Sequence, residues 1–199
     1  THPEKVFVGI VQQNKEGDKE CEIENNIYYK PENVRILRVS YDDAKGPCYA
    51  RYLASGLYRG ETYYFQIDSH TKFNKGWDTD LIKMLKRLPK KSVISHYPVP
   101  WESKYTMTQV PIMTSVNKYN SIYTFNSEYS NVRKHFGVAG GMMFMPGEAV
   151  KQIYFDSDLD YVFNGEEMLY SARLYTYGYD IYSPEKNVVF HYYIRDNEP

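Results

Sequence analysis

Short apolar runs of β-forming residues alternate along this chain with helical stretches, and that alternation limits the fold more than any other feature. Val6-Phe7-Val8-Gly9-Ile10-Val11 is apolar on both faces and predicts a buried parallel strand. Asn14 to Asn26 is polar and acidic and predicts a loop. Val34 to Val39 predicts a second strand, and Tyr49 to Leu57 a helix stopped at Gly60. Tyr63 to Ile67 is a third strand, Asp80 to Lys86 an amphipathic helix closed near Pro89, and Ser92 to His96 a fourth strand. From Pro98 to Asn131 the helical period is lost, which predicts antiparallel strands and loops laid over the sheet. Val138 to Met145 predicts a strand opened by two glycines, Glu166 to Tyr175 a helix stopped by Gly178, and Val188 to His191 a last strand. The pattern is that of an α/β protein with a mixed, mostly parallel sheet flanked by helices.

Composition narrows the functional classes. The 24 Lys and Arg residues balance 25 Asp and Glu, so a nucleic-acid partner, which selects a basic surface, is not expected. No apolar run reaches the roughly 18 residues of a membrane span. Cys21 and Cys48 are too few for a disulfide framework and have no metal-site spacing. Together with the absence of an Asn-x-Ser/Thr sequon they predict a cytoplasmic protein. With 199 residues and no linker or repeat, one domain over 1–199 is expected. Most of the 22 tyrosines are expected to be core and boundary residues.

Chemistry gathers at the predicted carboxyl edge of the sheet, where open α/β sheets bind ligands. Asp68-Ser69-His70 directly follows the third strand. If extension continued, Asp68 and His70 would share one side of the chain and could hold one divalent cation. Oxygen with imidazole suits Mn²⁺ or a similar first-row ion better than Ca²⁺, and a turn cap is the alternative use of Asp68. His191 ends an apolar strand and is a third candidate ligand. Gly140-Gly141 would let backbone approach a ligand closely, or simply make a bulge. Glu166 and Glu167 open a helix, where they favour its dipole or point into a site. The Lys83, Lys86, Arg87, Lys90 and Lys91 cluster predicts a solvent face, and Trp77 and Trp101 are either sugar platforms or buried anchors.

These blocks carry a resemblance. Gly46 to Ala54, Tyr63 to Phe73 as YYFQIDSHTKF, Val138 to Gly141, Phe163 to Glu167, Arg173 to Asp180 and Phe190-His191-Tyr192 resemble, in order, the cytoplasmic hydroxyproline-modifying N-acetylglucosaminyltransferases. More distantly they are similar to the mucin-type polypeptide GalNAc-transferases. The resemblance implies a retaining GT-A glycosyltransferase that moves a sugar, GlcNAc as the first expectation, from a UDP-sugar donor to a hydroxyl of a protein or glycan acceptor. It implies Mn²⁺ or another divalent cation on Asp68, His70 and His191, and nucleotide contact through Arg51. It further implies donor contact through Gly140, Gly141 and Glu166, and a carboxylate facing the acceptor from Glu166 or Glu167. Relatives begin with one more strand and loop, so a truncated or minimal domain lacking that first strand is expected.

Two other readings use the same residues. One is a catalytically degenerate GT-A domain that binds a sugar nucleotide or a protein. The other is a phosphate-ester hydrolase, which needs a second metal on carboxylates such as Asp156, Asp158 and Asp160, although their spacing fits a solvated loop better.

Overall fold

The computed structural model describes residues 2–20, 30–104, 106, 108–116, 122–128 and 132–194. Cys21, the end of the predicted Asn14 to Asn26 loop and parts of the Pro98 to Asn131 stretch lie outside them. The chain divides into two compact units, one of His2–Glu61 with Val150–Phe163, the other of Thr62–Ala149 with Asn164–Pro199.

In the first of these, β1 (Val8–Asn14) and β2 (Val34–Ser40) pair in parallel from Val8 opposite Val34 to Asn14 opposite Ser40. The parallel direction is as predicted, but the burial is not. Phe7 and Val8, neighbours whose side chains point to opposite faces, are each 42% exposed, because β1 pairs with β2 alone in a two-stranded sheet and its start is covered fully on neither face. Helix α1 (Pro47–Ser55) starts on a proline, whose missing N–H has no helical partner to lose. It stops at Ser55 and not at Gly60, because the Gly56 amide closes back on the Tyr52 and Leu53 carbonyls. The Cys48 thiol is buried and donates to the Val162 carbonyl at 3.1 Å.

The second unit contains β3 (Tyr63–Ile67), β4 (Thr71–Phe73), α2 (Trp77–Lys86), β5 (Ser92–Ser95) and β6 (Val99–Pro100). Antiparallel β7 (Gln109–Val116) and β8 (Ile122–Glu128) follow, then β9 (Lys134–His135) and β10 (Met142–Pro146). Beyond α3 (Gly147–Gln152) come α4 (Glu166–Thr176), β11 (Asp180–Tyr182) and β12 (Val189–His191). The main sheet runs β3-β10-β5-β11-β9, and a second one β4-β12-β6. The mixed α/β architecture is the predicted one. Parallel pairs are nevertheless the minority among the described strands, because β10 runs antiparallel to both β3 and β5 and β12 antiparallel to β4. Strands β4, β9 and β11 were not predicted, since two or three residues cannot display a period.

The core of this unit lies between α2 and the strands. Leu81, Met84 and Leu85 project from one face of α2 onto Ile94, Met142, Phe144, Val188 and Val189. Phe65 stacks on Trp77 at 5.4 Å and meets Phe144 edge-on at 5.6 Å, so Trp77 is a packing anchor. Leu81 is fully buried. Leu81→Ala is expected to cost about 2–5 kcal/mol through lost burial and a cavity, read as a lower urea midpoint with unchanged slope. The basic cluster from Lys83 to Lys91 is exposed as predicted, with Arg87 paired to Glu185 at 2.7 Å.

Candidate functional site

The antiparallel register of β10 builds the site. Met142 stands opposite Ile67, the last residue of β3, and Met143 opposite Ser95, the last residue of β5. The segment leading into β10 therefore lies beside the segments leaving β3 and β5. Gly141 consequently meets Asp68, and a Cβ on Gly141 would sit 2.8 Å from Asp68 Oδ2, closer than real Cβ contacts come. Any larger residue there would have to push the Asp68 carboxylate aside.

Residues 138–140 present successive amides that are all taken by side chains. Val138 N–H donates to Ser171 Oγ at 2.9 Å, Ala139 N–H to Ser95 Oγ at 2.9 Å, and Gly140 N–H to Glu167 Oε1 at 2.6 Å. Ser171 in turn donates its hydroxyl hydrogen bond to the Glu167 backbone carbonyl at 2.6 Å, and Ser95 to the Met142 carbonyl at 2.5 Å. The other Glu167 oxygen accepts the Tyr97 hydroxyl. Gly165, at φ +91°, turns the chain sharply into α4, which places Glu166 and Glu167 in its first turn. Glu167 thus lies at the positive end of the helix, as one of the foreseen uses has it, and in addition holds the glycine turn.

The second sheet supplies the other wall. Strand β12 pairs with β4 so that His191 stands opposite Thr71, and the Tyr192 amide donates to the His70 carbonyl at 3.0 Å. His191 Nε2 comes within 3.5 Å of Asp68 Oδ2, and the His70 and His191 rings are 5.9 Å apart. Tyr193 lies against the His191 ring at 4.4 Å and donates its hydroxyl to the Pro98 carbonyl at 2.7 Å. Its phenol is pushed up to about 12, first by burial and then by the charges of Asp68 and Glu167, so one ring senses both carboxylates. Burial, then the Glu167 charge, raises Tyr97 well above the ordinary phenol range.

One detail of the predicted geometry is corrected. Asp68 and His70 do not share a strand face, because β3 ends at Ile67 and residues 68–70 turn into β4. His70 Nδ1 lies 3.2 Å from Ser69 Oγ. The donor chemistry suits a divalent first-row cation. The Asp68–His191 separation is near the roughly 3 Å between adjacent ligands of an octahedral ion. Among the described residues, however, no group of three His, Cys, Asp or Glu side chains is arranged to hold a metal ion. The fit is therefore for two donors, with His70 alongside.

Other predicted positions lie elsewhere. Arg51 stands on α1 in the first-described unit, half-buried. Asp160 pairs with Lys45 at 3.1 Å, and Asp156 accepts the Asp158 amide, as in a solvated loop. Trp101 carries Lys72 and Lys104 ammonium groups over its ring at 4.0 and 4.6 Å. A cavity of about 810 Å³ opens between α4, β7, β9 and β11, lined by Met113, His135, Met168 and Tyr175 among others, and by none of the predicted metal or donor residues.

Ser95, Tyr97, Ser171 and Tyr193 were missed. The one usable signal was Ser92 and Ser95 in an otherwise apolar strand, since wholly buried hydroxyls must find partners. His96 beside them is fully buried, and burial followed by the His135 charge pushes its imidazole down to about 3, so it stays neutral.

The family model described as Glycosyltransferase (GlcNAc) matches residues 22–199. No curated protein matches the chain. Among solved structures, the crystal structure of GalNAc-T7 with UDP, GalNAc and Mn²⁺ is similar at a TM-score of 0.64 and 13% identity. The likeness covers 85% of this chain and 34% of that one, so the chain spans about a third of that structure's length. At this identity the likeness is one of fold. No helix among the described residues is long and apolar enough to cross a membrane.

Proposed function

Because the chain belongs to the GlcNAc glycosyltransferase family, we propose that it moves a sugar from a UDP-sugar, GlcNAc first, to a hydroxyl of a protein or glycan acceptor. The observation that carries this reading is the continuity of Asp68, Gly141, Gly140, Glu167 and Tyr97, at the end of the main sheet, with Pro98, Tyr193 and His191 of the second-sheet wall. The reading treats residues 1–199 as a GT-A-like domain. Asp68 and His191, with His70, would hold a divalent cation, whose chemistry is to neutralise charge on the departing diphosphate. Support comes from the donor set and from the Mn²⁺ and UDP in GalNAc-T7.

In the proposed transfer the acceptor oxygen bonds to the anomeric carbon as the bond from that carbon to the phosphate oxygen breaks. The acceptor proton passes to a phosphate oxygen of the leaving UDP, and configuration is retained. Glu166 accepts hydroxyls of the donor sugar, while Glu167 holds Gly140 so that the turn can lie against that sugar. Arg51 keeps the nucleotide contact that the family resemblance gives it. A cytoplasmic location belongs to the same reading and rests on cysteine usage.

Thermal melting in UDP with Mn²⁺ tests binding. At a hundred times the dissociation constant, stabilisation of about 2.7 kcal/mol is expected, a rise of several degrees. No shift at millimolar UDP would remove the nucleotide from the reading. Release of UDP from UDP-GlcNAc, set against UDP-Glc, UDP-Gal and UDP-GalNAc, then chooses the donor. A second reading is a binding module that holds the sugar nucleotide without turnover. A UDP-induced shift with no UDP release from any donor would select it.

A further inference from the structure

We propose that Tyr97 is a positioning residue: its hydroxyl fixes Glu167 as the acceptor of the Gly140 amide, and so keeps the glycine turn seated against Asp68. Three successive amides of that turn are held from outside, and they are held differently. Val138 and Ala139 bond to serine hydroxyls that are themselves anchored on backbone carbonyls. Gly140 bonds to a carboxylate at the end of a long side chain. A glutamate side chain has several rotatable bonds, and each contact on its carboxylate restrains them. The Tyr97 hydroxyl takes the second oxygen, and the two contacts together define one orientation.

Tyr97 is well placed for this task. It stands two residues beyond Ser95, the end of a fully buried strand whose register against β10 is set by Ser95 opposite Met143. Its anchor is therefore rigid where Glu167 is not. Burial and the adjacent carboxylate keep the phenol protonated, so it faces Glu167 as a donor. Gly141, next in the turn, has room only for a hydrogen against Asp68 Oδ2. A small displacement of Gly140 is thereby passed directly to the Asp68 carboxylate. The consequence for turnover rests on the glycosyltransferase reading, whereas the consequence for the turn does not.

Tyr97→Phe removes the hydroxyl and keeps the ring. Amide hydrogen exchange by NMR on the whole chain, without ligand, is expected to show Gly140 protection reduced about 10-fold, with Val138 and Ala139 within about twofold of wild type. Glu167→Gln is expected to reduce the same amide, and the double variant to add little, since both act on one bond. In UDP-sugar turnover, Tyr97→Phe is expected to lower kcat about 10-fold and leave KM for the donor nearly unchanged. Unchanged Gly140 protection, or equal loss at all three amides, overturns the proposal. A wild-type chain that turns over no UDP-sugar would instead overturn the functional reading, and the exchange data would still decide the role of Tyr97.

Discussion

Asp68→Asn is expected to lower UDP release from the preferred UDP-sugar by about 10³-fold while the ligand-free melting temperature moves by no more than a few degrees. The substitution keeps the shape of the side chain, so the tight contact with Gly141 and the packing beside His191 survive. What it removes is the negative charge of a carboxylate that stands 3.5 Å from the His191 imidazole. Under the proposed mechanism that charge is what draws the cation to the diphosphate. The UDP–Mn²⁺ melting shift should disappear with the activity, because both depend on the same charge. A variant with wild-type turnover would take Asp68 out of the site altogether.

Gly141→Ala makes the complementary change, leaving every charge in place and moving one of them. The new methyl would lie 2.8 Å from Asp68 Oδ2 and 3.4 Å from its Cγ, so the carboxylate must give way by a few tenths of an ångström or more. Pro98 Cδ, at 3.8 Å, limits the space on another side. Turnover is expected to fall about 10-fold, since this shift is well short of the roughly 1 Å misplacement that costs about 100-fold. The Mn²⁺ concentration that half-restores activity should rise at the same time. If Gly141→Ala behaves as wild type in both measurements, the Asp68 position seen here is not the working one. Asp68→Asn and Gly141→Ala together separate the charge of this carboxylate from its placement.

Most of the strands were legible in the sequence, because a buried strand needs a run of apolar side chains and those runs are visible without a partner. Tyr63 to Ile67, largely aromatic though only half-buried, is legible in the same way, since its predicted and observed limits coincide. The candidate residues were legible for a related reason. Asp68, His191 and the glycine pair each flank an apolar run, and a polar or glycine residue at such a border is conspicuous. Burial at Phe7 and Val8 was misjudged because it depends on how many neighbours the strand acquires. Strands β4 and β11 escaped notice because a three-residue strand exists only through its partner.

The sequence by itself determined the alternation of elements, the balance of charge, and which borders carry carboxylate and imidazole side chains. These are local properties, set by side-chain polarity and spacing along the chain. Only the tertiary structure decided that Asp68 meets Gly141, that Glu167 is clamped between Gly140 and Tyr97, and that Trp77 belongs to the core. Each of these depends on pairing or packing between segments far apart in the chain, above all on the antiparallel register of β10 against β3 and β5. A register shift of one residue would turn every side chain of β10 to the opposite face, and no local pattern in the sequence specifies that choice.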